Sequence, residues 1–201
     1  MTEFKNPAGA ARAATIALYA YMILDPVLAV LQFQYPLSDS ALGEAGPADY
    51  AAIPWLLAFF ACLILVGRWI YRTNANAHVF SSGMEISPGW AVGWFFVPFA
   101  NLVMPYQGVK ETWRESHEAA GCLDEMDSSL LGWWWGLWIA TNFLGNLGLM
   151  FGNGTAEALE GAVYVNLLAS ALNVALCLVL IRLIDRLSRV QVMASEGSVF
   201  A

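Results

Sequence analysis

Long apolar blocks, almost free of charge, alternate along this chain with short polar connections. Four of the blocks, about 13–33, 51–70, 130–151 and 163–184, have the length a helix needs to cross the hydrocarbon core of a bilayer, about 20 residues. Helix-start signals stand at their ends: Asp49 at the second, Ser128 or Ser129 at the third, and Thr155 in a turn leading to the fourth. A fifth block, about 88–106, is equally long but carries Pro88, Pro98 and Pro105 together with Gly89 and Gly93. Directly after it, residues 107–118 place Val109 and Trp113 on one face and Arg114 and Glu118 at i,i+4, the pattern of a short amphipathic interfacial helix. No internal repeat interrupts the pattern, and residues 1–201 read as a single all-α integral membrane domain.

The positions of the positive charges decide how the fifth block is read. If it crosses, Lys5, Arg12, Arg68 and Arg72 lie on one side and Lys110, Arg114, Arg182, Arg186 and Arg189 on the other, which is no bias. If it enters and returns, all nine Lys and Arg share one face, and the opposite connections hold only Asp39, Glu44, Asp49, Glu157 and Glu160. Positive residues concentrate in short cytoplasmic loops, so the pattern predicts four transmembrane helices plus a re-entrant or interfacial helical hairpin bent near Pro98. Both termini are then cytoplasmic; five transmembrane helices are the alternative. Tryptophans cluster towards the same face, at Trp69, Trp90, Trp94, Trp113 and Trp133–Trp135, with Trp55 opposite.

Composition narrows the class further. Apolar residues make up 59% of the chain and charged ones 12%, far from the soluble norm of about 45–50% and about 25%. A net charge of −7 with no basic stripe excludes a nucleic-acid partner. Cys62, Cys122 and Cys177 form no CxxC and suggest neither a disulfide framework nor a zinc site. His78 and His117 have no second ligand at metal spacing, so no metal and no cofactor is expected. The first apolar block contains Asp25-Pro26 and suits a retained anchor helix better than a removable signal.

Several rare residues recur at fixed offsets in the middle of the chain. They run Arg72-Thr-Asn74-Ala-Asn76, then Ser87-Pro88-Gly89-Trp90-Ala91-Val92-Gly93-Trp94-Phe95-Phe96-Val97-Pro98, then Asn101-Leu102, Trp113-Arg114 and Trp133-Trp134-Trp135. This stretch resembles the bacterial membrane family called domain of unknown function 4328. That family carries an Arg-x-Asn element, a Gly-Trp-Ala-x-Gly-x-Phe-x-Pro-x-x-Asn-Leu core and a downstream Trp-rich helix. The likeness is close over about 68–138. Many members have an aromatic just after Asn-Leu, where this chain has Val103-Met104, which counts against an essential aromatic there. The resemblance implies a bacterial inner-membrane protein and supplies no activity.

Candidate positions have both structural and functional readings. Asn101 either satisfies carbonyls freed by the bend or lines a polar site. Arg68 and Arg72 share a helix face and either snorkel to headgroups or clamp the hairpin through Glu85 or Glu111. Asp25, inside a span, either bonds the backbone released by Pro26 or takes part in chemistry. Asn142, Asn146, Asn166 and Asn173 form a polar set with small residues that suits either helix packing or a solute path. Asp185 sits between Arg182 and Arg189 as an intrahelical ion pair.

HExxH, GxSxG and P-loop motifs are absent, so the expected function is a non-enzymatic accessory or structural subunit. Its expected partners are the lipid bilayer and other membrane protein subunits, or a further copy of itself. A small-solute transporter, channel or lipid-binding protein is the alternative.

Overall fold

The structure, a computed structural model, describes residues 3–35, 46–123, 128–151 and 156–197. Among these it is helical, in the order α1 (Ala8–Gln34), α2 (Pro47–Phe80), α3 (Pro88–Gly93), α4 (Met104–Ala119), α5 (Ser129–Phe151) and α6 (Ala156–Gly197), with short 3-10 turns at Trp94–Phe96 and Ala100–Leu102. Three stretches are long and apolar enough to cross a membrane: Ala8–Gln34, Pro47–Phe80 and Gly161–Gly197. The described residues are therefore all-helical, with the helix lengths and apolar composition of a membrane protein. With 23 residues, α5 also has the length to cross.

The helices run well past the expected spans. At about 1.5 Å per residue the 34 residues of α2 extend about 50 Å, against a hydrocarbon core of about 30 Å. The surplus carries Thr73, Asn74 and Asn76. Asp49 lies in the first turn of α2, and its carboxylate accepts from the Gly46 N–H at 2.8 Å, reaching back over the helix start as in a capping box. Ser128 directly precedes α5, and its carbonyl accepts from Gly132. Thr155, Asp39 and Glu44 fall outside the described residues, as do the side chains of Glu157 and Glu160.

Contacts divide the chain into two compact units. Unit 1 comprises 1–16, 63–132 and 180–201, and unit 2 comprises 17–62 and 133–179. All nine Lys and Arg fall within unit 1. Unit 2 is built from the apolar stretches of α1, α2, α5 and α6, with Leu18, Leu28, Ala29, Ala58, Ala169 and Cys177 in its core. Small residues bring its helices close: a Cβ on Gly148 of α5 would stand 2.7 Å from Asn166 Oδ1 of α6.

Tryptophan placement departs from a simple interfacial belt. Trp90 and Trp133 are exposed, but Trp69 and Trp113 are each 1% exposed and form the core of unit 1. Sequence alone does not separate the two cases, since a tryptophan beyond the end of a span serves lipid or protein equally well. Here the extended ends of α2 and α6 converge on α4 and bury them.

Candidate functional sites

Unit 1 holds a buried polar junction at the centre of which lies Gln191 of α6. The Gln191 amide nitrogen donates to the Thr73 carbonyl at 2.7 Å and to Ser116 Oγ at 3.0 Å, and its oxygen accepts from Asn76 Nδ2 at 3.0 Å. Asn76 also grips the N-terminal segment, donating to the Lys5 carbonyl at 2.9 Å while its oxygen accepts from the Lys5 N–H at 3.1 Å. Two positions earlier, Asn74 donates to Thr112 Oγ1 of α4 at 3.0 Å. The hydroxyls of Thr73, Thr112 and Ser116 each turn back onto a carbonyl of their own helix. Trp69 Nε1 adds a bond to Ser188 Oγ at 3.0 Å. Thr73, Asn74, Asn76, Thr112, Ser116, Ser188 and Gln191 are all buried, and the network joins α2, α4, α6 and the N-terminus, with Asn74 Oδ1 the one of its side-chain atoms buried without a hydrogen-bond partner.

The hairpin belongs to the same unit. Ser87 occupies the N-cap position with extended backbone and no side-chain cap bond, and Pro88 starts α3, where its missing N–H costs nothing. The helix lasts six residues before the 3-10 turn at Trp94–Phe96. Pro98 and Phe99 then reverse the chain, with Phe99 at φ 62°. The two ends of the segment meet: a Cβ on Gly108 would touch Ile86 at 3.5 Å and Ala91 at 3.8 Å. Glu111 of α4 seals this closure by accepting from the backbone N–H groups of Glu85 and Ile86 at 2.5 and 3.1 Å, and His78 Nε2 lies 3.1 Å from the Ile86 carbonyl. Beside the closure an open notch of about 310 Å3 carries Glu85, Lys110, Glu111 and Arg114.

The clamp expected of Arg68 or Arg72 is thus made differently. Arg68 is exposed and Arg72 half-buried, and Glu111 holds the hairpin by its backbone. Peptide N–H groups left free by the loop are nearer to Glu111 than any guanidinium. Asn101 closes the bend through its own N–H to the Val97 carbonyl. Gly93 presses on the Trp90 ring, where a Cβ would meet it at 3.2 Å, and Trp90 packs against Trp94 at a tilt, with centroids 4.5 Å apart. Gly89 has open space around its Cβ position. On α4, Arg114 pairs with Glu115 at 2.6 Å, its sequence neighbour, in place of Glu118. The Ser81 hydroxyl and Arg114 together hold the Glu115 carboxyl below the usual glutamate range. Trp113 is the buried anchor of α4, with the Arg186 guanidinium over its ring at 5.6 Å.

The sequence profile of the domain of unknown function DUF4328 matches residues 45–189. The chain belongs to the DUF4328 family. No curated protein and no solved structure matches it. The family region includes α2 to α5 and most of α6, so the Asn74–Thr112 contact and the hairpin closure lie inside it. Lys5 and Gln191, which complete the junction, lie outside it.

In unit 2 of this DUF4328 chain, Asp25 collects donors from three helices. Its Oδ1 accepts from Trp55 Nε1 of α2 at 2.9 Å, its Oδ2 lies 3.4 Å from Asn173 Nδ2 of α6, and the Tyr21 hydroxyl one turn earlier on α1 bonds the same carboxyl. The expectation that Asp25 repairs the backbone at Pro26 is therefore replaced by a tie between helices. A short side chain in a helix projects outwards, where the indole and carboxamide stand within reach. Asn142 and Asn146 behave differently, donating at 2.8 Å to the carbonyls four residues earlier on α5, at Trp138 and Asn142. Both are exposed. Among the described residues no group of three metal-ligating side chains occurs.

Proposed function

We propose that this protein is a non-enzymatic accessory or structural subunit of a bacterial inner membrane that associates laterally with other membrane proteins. Its topology in this reading is four spans, α5 included, with residues 88–106 as a hairpin entering from the cytoplasmic face and both termini cytoplasmic. The grouping of all nine Lys and Arg in unit 1 supports that orientation, and the meeting of Ile86 and Ala91 with Gly108 supports a returning segment. Exposed Trp90, Phe96, Phe99 and Leu102 give the hairpin an apolar surface for the bilayer.

The observation that carries the association is the outward position of Asn142 and Asn146 on α5. Lipid chains offer a carboxamide no hydrogen bond, and interhelical bonds from such groups are worth about 0.6–2 kcal/mol each. Extraction in a mild detergent is expected to yield a complex heavier than the 21.9 kDa chain, with stoichiometric protein beyond one copy, and the Asn142→Leu/Asn146→Leu double variant is expected to lose it. A monodisperse single copy in both cases would refute lateral association.

Topology has its own test in the native Cys122. A membrane-impermeant thiol reagent is expected to leave it unlabelled in intact cells and to label it once the membrane is opened. Labelling of intact cells that disappears in Cys122→Ser would overturn the returning hairpin.

A further inference from the structure

We infer that the partner on α5 is a second copy of this chain, packed through a seam formed by Gly136, Ile139, Phe143, Asn146 and Met150, with Asn142 beside it. This inference rests on the lateral-association reading above and names the occupant of the same face. The seam positions are spaced by three, four, three and four residues, the 3.5-residue repeat that keeps one side of a helix facing another helix along its length. All five are exposed, with Ile139, Phe143 and Met150 at 38%, 64% and 75%. The opposite side of α5 is already used: Trp134, Thr141 and Gly148 are buried.

Three features fit a second copy. No ionisable residue occurs from 133 to 150, so nothing on this face complements a charged partner. Gly136, with nothing within 4 Å of its Cβ position, allows close approach of a second backbone. The third feature is the chemistry of Asn146. Its Nδ2 spends one hydrogen on the Asn142 carbonyl, which leaves one N–H and the amide oxygen, a donor and an acceptor on the same group. Two copies inserted with the same orientation relate by a two-fold axis along the membrane normal, which makes their α5 helices parallel. Asn146 of each copy then meets its equivalent, donor against acceptor, and an Asn at a seam position fixes register in parallel helix pairs. Lipid supplies neither half of that exchange.

The test uses the full chain in native membranes, with Cys62, Cys122 and Cys177 replaced by alanine and one cysteine introduced at a time. Ile139→Cys and Phe143→Cys are expected to form disulfide-linked dimers at least about tenfold faster than Leu178→Cys, an exposed position on α6, because a disulfide needs Cβ atoms about 3.5–4.5 Å apart. The Asn142→Leu/Asn146→Leu variant is expected to weaken self-association in detergent about three- to tenfold while leaving the unfolding temperature of the single chain unchanged. Cross-linking at Ile139→Cys and Phe143→Cys no faster than at Leu178→Cys would overturn the second copy as occupant. If the native complex still exceeds one chain and is lost in the Asn142→Leu/Asn146→Leu variant, lateral association stands and only the identity of the occupant falls. If no complex exists at all, both fall.

Discussion

Replacing Gln191 with leucine is expected to lower stability by about 2–4 kcal/mol, since buried polar groups left without partners cost about 1–3 kcal/mol each. Gln191 is fully buried, and its amide serves Thr73, Ser116 and Asn76 at once. Leucine has similar bulk, so little of the loss would come from a cavity. The partners keep some of their bonds: Asn76 retains Lys5, and Ser116 still donates to the Thr112 carbonyl. That retention sets the effect below the sum of three lost bonds. Unfolding in mixed detergent micelles reads the change, and a double-mutant cycle with Asn76→Ala should show strong non-additivity. A loss below about 0.5 kcal/mol, the level of an ordinary surface substitution, would mean that the junction does not hold unit 1 together.

Asp25→Ala is expected to cost a similar amount, about 2–4 kcal/mol, but in unit 2 and for a different reason. The substitution orphans the Trp55 indole N–H and frees Asn173 inside an apolar helix bundle, where no water replaces the carboxyl. Asp25→Asn should recover only part of the loss. It keeps one acceptor oxygen but presents an NH2 to a neighbour that is itself a donor. Thermal unfolding of the purified protein in nanodiscs measures both variants. Wild-type stability in Asp25→Ala would sink the three-helix tie, and full recovery by Asp25→Asn would show that a single acceptor suffices.

The apolar blocks were legible because crossing a bilayer imposes one length and one composition, and the spans expected over 13–33, 51–70 and 163–184 all lie inside longer helices. Their continuations were not legible. Thr73, Asn74 and Asn76 look like an exposed polar end when read locally, and their burial depends on Thr112, Lys5 and Gln191, far away in sequence. The hairpin could be suspected from Pro88, Pro98 and the charge balance. Its closure by Glu111 onto peptide N–H groups could not, because backbone donors are present at every residue and leave no mark in the sequence. Gly67 and Gly108 were also passed over, although a Cβ on Gly67 would touch Val92 at 3.5 Å and Gly108 lets α4 reach the loop. A glycine within an apolar or amphipathic helix gives no sign of which neighbour it admits. For Asp25 the adjacent Pro26 suggested a local role, whereas the partners stand 30 and 148 residues away.

The bridge between Lys5 and Asn76 sets an order of events during synthesis. Lys5 is made 71 residues before the side chain that holds it, and Gln191, which steadies that side chain, comes 115 residues after Asn76. Until the far end of α6 leaves the ribosome, the N-terminal segment and the tip of α2 have no finished seat. Unit 1 can therefore close only after Gln191 has been made, later than the helices it joins begin to enter the bilayer. A chain cut short before Gln191 would still insert, but it would present an open polar face of the kind that membrane quality-control proteases engage.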